Sequence, residues 1–295
     1  MITVLYCLFI VIFFILPQLK FKTMGFIITG VILGVLGLIL WLAKNKKEGK
    51  SLTLEMMETT PIKDIIENFE HITNSMGSGS FANHVEVKGK AHATTPLTSE
   101  LSEEEVVYYC SEVVHEYEKL ETKTNSDGKK EKNWVKHQDT VSENKRWADG
   151  FGVQDSTGFI GLNANKSKLH LEDLFSKFEK GEPSQDSGMS LKIKGFSISL
   201  GSSNNGLRTI GYRYTEKGIR MGTNLYVVGE ANDRDGQLEI TVPKDKKNQF
   251  IVSVKSKEEL LGNLSSAAKG LKIGAFISFG FAAAAIVYGI IKTMS

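Results

Sequence analysis

Cysteine is almost absent from this 295-residue chain: there are two, Cys7 and Cys110, and the first lies in an apolar run. One thiol in the polar part of the chain cannot build a disulfide framework, and a zinc module resting on paired Cys-x-x-Cys ligands has no donors. An excess of one charge sign is also missing. Lys and Arg number 36 against 34 Asp and Glu, for a formal net charge of +2, and the two signs are interspersed through the middle of the chain. A nucleic-acid partner, which needs a clustered basic surface, is therefore not expected. The six histidines are scattered. His84 and His92 would share a face of a straight strand but have no further ligands at metal-site spacing, and His115 sits among Tyr and Glu as a half-buried side chain would. No glycine-rich loop followed by lysine joins a strand to a helix, and no nucleophile elbow is visible.

What the chain does have is apolar sequence gathered at its two ends, although its overall composition, 41% hydrophobic and 24% charged, is that of an ordinary soluble protein. Residues 24–43, MGFIITGVILGVLGLILWLA, carry no charge. About 20 helical residues at about 1.5 Å each match a hydrocarbon core of about 30 Å, so this reads as a transmembrane helix. A second span is read at residues 269–292, where IGAFISFGFAAAAIVYGII is bracketed by Lys272 and Lys292. Residues 1–23 open with a further apolar run closed by Pro17, Lys20 and Lys22. That run lacks the basic start and small-residue cleavage site of a signal peptide; it reads as a third span, as an interfacial segment, or as an upstream extension if translation begins at Met24.

Gly30 and Gly34 form a GxxxG, and Ala285 and Gly289 a small-xxx-small pair. Such residues let helix backbones approach, either between the spans or between two copies of the chain in a homo-oligomer, although Gly and Ala are common in membrane helices whatever they face. Lys44, Lys46, Lys47 and Lys50 follow one span, and Lys269 and Lys272 precede the other. Against Lys292, and against Lys20 and Lys22 if the first run inserts, this count places an integral, multi-pass protein with its middle domain in the cytoplasm.

Residues 44–82 read as a basic flank, one amphipathic helix and a linker. Thr60 and Pro61 give a helix start; Ile62, Ile65, Ile66, Phe69 and Ile72 recur at spacings of three and four, and Gly77–Ser80 ends the pattern. Over residues 83–268 the period changes to two, in HVEVKGKAHA, WVKHQDTVSENKRW, FGVQDSTGFIGLN, LKIKGFSISLG, LYVVGEA, QLEITV and FIVSVKS. This predicts a mainly β soluble domain, a small antiparallel barrel or sheet of OB-like type, flanked by the transmembrane helices. VVYYCSEVVHEYEKL fits a helix by its Ser102 and Glu105 capping box, but its density of Val and Tyr favours a strand.

Two short motifs invite chemistry. Asp155 opens DSTG and Asp186 opens DSG; an aspartic protease needs two such aspartates, each directly after an apolar strand and close enough to share a proton. DSTG has one residue too many and Asp186 follows the loop sequence EPSQ, so Asp155 and Gly158 read as a four-residue turn. Asn232–Gly236, NDRDG, reads as a hairpin turn, because the spaced oxygen ligands and terminal Glu of a calcium loop are missing. No catalytic, cofactor-binding or metal-ligating residue is assigned, and no cofactor is expected.

The order of a span, a basic stretch, FGVQDSTGFIGL, GTNLYVVGEANDRDGQLEI, FIVSVKSKEELLGNL and a final span resembles the GIDE-type, or beside-a-membrane (BAM), domain of the mitochondrial RING-type E3 ubiquitin ligases. The resemblance covers residues 50–291 and is most specific in GTNLYVVGEA and KSKEELL. It implies a domain between two spans that recognises partners or substrates, lying in the intermembrane space, on the opposite side from the lysine count. It also implies ubiquitin transfer by a separate zinc-binding RING, for which Cys7 and Cys110 are not ligands. Three functions follow as expectations. The first is a membrane-anchored scaffold contacting membrane lipids and an unidentified membrane-associated protein, with loops Glu121–Lys132 and Glu179–Gly188 as contact candidates. The second is an E3 ubiquitin ligase family role with a RING supplied in trans. The third is lipid-headgroup or oligosaccharide binding by the barrel.

Overall fold

Tyr226, Val227 and Val228 are all buried, and the alternating apolar run around them forms the strand on which the others assemble. The computed structural model describes residues 21–124, 129–181, 190–193, 196–199 and 206–294. The apolar run within 1–20, the DSG at Asp186, and residues 125–128 and 182–188 of the two candidate contact loops lie outside the described residues. The chain divides into two units, one joining the residues up to Met57 with those from Lys257 onward, the other Glu58–Ser256.

In the second unit, strands β1 (Ala82–His92), β5 (Gly152–Gln154), β6 (Phe159–Leu162), β12 (Asn224–Asn232) and β13 (Glu239–Thr241) close into a ring. β1 pairs antiparallel with β12 from Ala82↔Asn232 to Lys90↔Asn224, and with β5 at its other edge. β5 continues into β6, β6 runs parallel to β13, and β13 returns to β12. This is a five-stranded closed barrel of OB-like type, mainly antiparallel as the period of two predicts. β14 (Ile251–Ser253) extends β12, and β7 (Lys168–His170) pairs parallel with β14. Inward-facing Val87, Val153, Ile160, Val227 and Ile240 fill the ring, and each is at most 2% exposed.

A second sheet comes from the long segments between the ring strands. β3 (Glu105–Thr124) pairs with β4 (Lys130–Trp147), with β2 (Leu97–Thr98) and with β11 (Leu207–Arg220), and β11 pairs with β8 (Glu172–Lys180). The Val- and Tyr-rich β3 is thus a strand, with its branched and aromatic side chains on a pleated surface. LKIKGFSISLG, which alternates as one strand, is a hairpin of β9 (Ser190–Ile193) and β10 (Phe196–Ser199). β8 and β11 were not anticipated. β11 carries a one-residue bulge at Ile210, between Thr209 and Gly211, which breaks its period-two signal.

The first unit is a pair of antiparallel helices, α1 (Phe21–Met56) and α3 (Lys257–Met294), each long and apolar enough to cross a membrane. Only 11% and 22% of their most apolar windows is buried, so most of their apolar surface faces outward, unlike that of a soluble core helix. Gly30 lies against Ala282 and Ile286, and Gly289 against Ile27, where an added Cβ would fall within 2.6 Å and 2.8 Å of a neighbouring atom. Small residues here bring the two helices of one chain together. Both helices outrun their apolar stretches: α1 takes in the basic flank to Met56, and α3 begins at Lys257, within the segment grouped by alternation with the β-rich domain.

The amphipathic helix α2 (Ile62–Met76) belongs to the β-rich unit and buries Ile62 and Ile65 in the barrel core, a gain of roughly 1.5–3 kcal/mol per side chain. Pro61 stands at its N-cap and offers no side-chain hydrogen bond. The DSTG turn supplies one from a distant part of the chain. Asp155 Oδ2 accepts the Ile62 N–H at 3.0 Å, and Thr157 Oγ1 accepts the Lys63 N–H at 3.1 Å. Asp155 Oδ1 also accepts the backbone N–H groups of Thr157 and Gly158 at 2.7 and 2.9 Å, closing the turn on itself. Burial alone would raise the Asp155 pKa; the hydrogen bonds from Thr157, Ile62 and Gly158 outweigh it and hold the carboxyl below the usual aspartate range.

Asp155→Ala should therefore destabilise the β-rich unit by about 1–2 kcal/mol, the usual effect of losing a helix N-cap. The unfolded aspartate holds its proton to higher pH than the folded one. The cap's stabilisation is therefore complete above the ordinary aspartate pKa and disappears as pH falls through the lowered folded value. Thermal melts of wild type and variant from neutral pH downward should converge in that acid window. A constant gap would assign the stabilisation to something other than the carboxylate.

Candidate functional site

The same β5–β6 hairpin that caps α2 also forms one wall of an open groove of about 730 Å³. The groove runs between α2, the segment joining β4 to β5, β6 with the residues after it, and the start of β13. Ile66, Phe69 and Glu70 come from α2, Trp147–Phe151 from the end of β4 and the connection after it, Phe159–Asn165 from β6 and beyond, and Gln237–Glu239 from the turn into β13 and its first residue.

Its apolar wall is aromatic. Trp147 stacks on Phe151 with ring centroids 5.2 Å apart and lies 4.0 Å from the Tyr108 ring. Phe159 meets His92 edge-to-face at 5.5 Å and stays 41% exposed, a large apolar side chain displayed at the surface. The backbone beneath is drawn tight: a Cβ on Gly152 would stand 2.3 Å from the Ile160 carbonyl oxygen and 2.5 Å from the Phe159 ring. A side chain at position 152 would push Phe159 out of place, so glycine there fixes the wall.

Carboxylates also line the groove. Glu70, Asp149 and Glu239 line the groove, as do Asn163 and Asn165. Burial pushes the Glu239 pKa up; a hydrogen bond with Asn163 opposes this and the nearby Asp235 charge adds to it. An aromatic platform edged with acids fits an amphipathic ligand bearing positive charge.

The motifs singled out in the sequence fall elsewhere. Asp155 is occupied by the α2 cap. In NDRDG, the Asp233 carboxylate accepts the Gly79 N–H at 2.6 Å and the Phe81 N–H at 3.1 Å, so this hairpin turn also ties down the Gly77–Ser80 linker. His84 Nε2 lies 3.3 Å from the Gln249 carbonyl oxygen while His92 packs on Phe159, so the two share no site. His115 is stacked on Tyr212 at 4.7 Å and Tyr117 at 5.0 Å. Cys110 is half-buried, and burial pushes its thiol pKa up, away from nucleophile behaviour. Among the described residues no three or more His, Cys, Asp or Glu side chains are grouped to hold a metal ion. The groove residues were the ones missed. The available signal was the cluster of Trp147, Phe151 and Phe159 around DSTG, overshadowed by its aspartate.

A family model described as GIDE, E3 ubiquitin ligase, matches residues 118–287. Among curated proteins, the E3 ubiquitin-protein ligase SPL1 of Arabidopsis thaliana is 29% identical over 123 residues, covering 41% of this chain and 33% of that protein. The match thus spans about a third of the length of this relative. No solved structure matches the chain.

Glu239→Gln offers a direct check on the electrostatics of the groove. A carboxyl with a raised folded-state pKa binds its proton more tightly folded than unfolded. Stability is therefore lost as pH rises from the ordinary glutamate value through the folded one. The Gln variant should be at least as stable as wild type at neutral pH, and its advantage should shrink on acidification. A variant less stable at neutral pH would assign Glu239 to a hydrogen bond that needs the charge.

Proposed function

Because this chain belongs to the GIDE family of E3 ubiquitin ligase domains, we propose that it is a membrane-anchored recognition module whose aromatic-and-acidic groove takes a basic, amphipathic segment of a partner protein. One observation carries the reading: the lining of one open groove includes Phe159, Trp147 and Phe151 together with Glu70, Asp149 and Glu239. Apolar anchors give contact area, while the carboxylates favour lysine or arginine and disfavour acidic competitors.

α1 and α3 serve as two membrane spans, and the outward-facing apolar surface of both supports this. Joined to a span at each end, the recognition unit meets other membrane proteins at raised effective concentration without needing high intrinsic affinity. Ubiquitin transfer enters as the family's reaction, with the groove delivering a substrate or a partner ligase. The lysine flank favours the cytoplasmic face for the β-rich unit.

Two experiments test these points. With a photo-crosslinking amino acid at position 159 of the full chain in native membranes, crosslinks should map to Lys- or Arg-bearing segments and fall at least about tenfold in Glu70→Lys/Glu239→Lys, the effect of setting like charges against each other across an interface. Crosslinks indifferent to charge reversal would end the groove reading. For topology, Lys246→Cys, at an exposed site between β13 and β14, should resist an impermeant thiol reagent in intact cells and react once the plasma membrane alone is permeabilised. Reaction before permeabilisation would move the unit to the opposite face.

A further inference from the structure

Lysines from the two ends of the chain meet at one level of the α1–α3 pair. The register is fixed by contacts along the apolar stretch: Gly37 against the Phe279 ring, Leu40 against Gly274, and Trp41 against Phe276 with centroids 5.9 Å apart. In antiparallel helices each step forward along one is matched by a step back along the other. The next turn therefore brings Lys44, Lys46 and Lys47 level with Lys272 and Lys269.

Lys46, Lys269 and Lys272 are exposed at this level, and Lys44 and Lys47 are half-buried. One acid lies among them, Glu48, 2.5 Å from Lys44. The next acids, Glu55 on α1 and Glu258 and Glu259 on α3, stand near the far end of the pair. That is about two helical turns, or roughly 12 Å, beyond Lys47, further than the screening length of about 8 Å at physiological salt. The result is a basic collar around both helices.

Its height matches a headgroup layer. From Lys272 to Lys292 the helix rises about 30 Å, the thickness of a hydrocarbon core. Aromatic rings mark both ends of that distance: Lys44 Nζ lies 4.9 Å from the Trp41 ring, and Lys292 Nζ 5.6 Å from the rings of Phe26 and Tyr288. Trp and Tyr beside lysine are typical of the boundary between tails and headgroups.

We propose that this collar binds the net-negative headgroups of anionic phospholipids, gathering them around the anchor in the leaflet from which the chain enters the β-rich unit. The inference rests on reading α1 and α3 as spans, and goes beyond it in giving the anchor a lipid preference. Neither run of lysines makes the collar by itself: the pairing of α1 with α3 assembles it from two distant parts of the sequence.

The test uses the full chain reconstituted into phosphatidylcholine vesicles containing spin-labelled phosphatidylserine or spin-labelled phosphatidylcholine, with lipid association read by electron paramagnetic resonance. Wild type should prefer the anionic label about fivefold, the effect of one lysine near an anionic surface. The preference should fall to none in the variant carrying Lys→Gln at positions 44, 46, 47, 269 and 272 and persist in the matching Lys→Arg variant. Equal association of both labels with wild type, or an undiminished preference in the Gln variant, would overturn the collar. Added inorganic phosphate should weaken the preference no more than chloride at equal ionic strength; selective competition by phosphate would reassign the site to a soluble anion. An alkaline carbonate wash separates the two readings. A chain that stays in the vesicles without preference loses the collar alone, and a chain that washes off loses the spans and the collar together.

Discussion

Closure of the ring at β1 and β12 is the constraint on which the β-rich unit depends. The two strands lie far apart in sequence, yet they share an unbroken antiparallel ladder from Ala82↔Asn232 to Lys90↔Asn224. Until that ladder forms, β5–β6 and β13 have nothing to close against, and the segment from β7 to β11 is an insertion without a frame. Closure also abolishes the free edges of the ring, which a short open sheet would leave available for unwanted pairing. The loop entropy of joining such distant strands is offset by dense burial: Val227 and Val228 on β12, and Val85 and Val87 on β1, are at most 2% exposed.

Two carboxylates then fasten the peripheral segments to the ring. Asp155 holds the start of α2, and Asp233 holds the linker after it, so both ends of the helix are tied by hairpin turns of the barrel. Each turn was legible as a turn, since Asp and Gly at those positions satisfy local backbone geometry. That each side chain also reaches the backbone of another element was not legible. It depends on where the ring places the hairpin, and nothing local to DSTG or NDRDG encodes the position of residues 62 or 79.

The same division between local and distant information runs through the fold. Strands with clean alternation, such as HVEVKGKA and LYVVGEA, could be read directly, as could the amphipathic repeat of α2. β11 was hidden by its bulge at Ile210, and β8 by the charges interleaved in EDLFSKFEK. The helical continuation of α1 past Ala43 has no apolar stripe to announce it, although Leu54 within it is buried. The groove was the least legible feature. Its aromatic residues come from one stretch, residues 147–159, but its carboxylates include Glu239, which the parallel pairing of β6 with β13 brings alongside.

That parallel pairing links the fold to what the groove can do. An antiparallel return from β6 would place its partner through a tight hairpin, using neighbouring residues for both walls. A parallel neighbour must come from far along the chain, so the two sides of the groove come from sequence-distant segments. Glu239 at β13, Glu70 on α2 and Phe159 on β6 keep their spacing only while the ring is closed and α2 is capped. A partner reading that spacing therefore reads the integrity of the barrel as well as the identity of three side chains, and a locally unfolded unit would lose recognition through geometry before it lost any single contact.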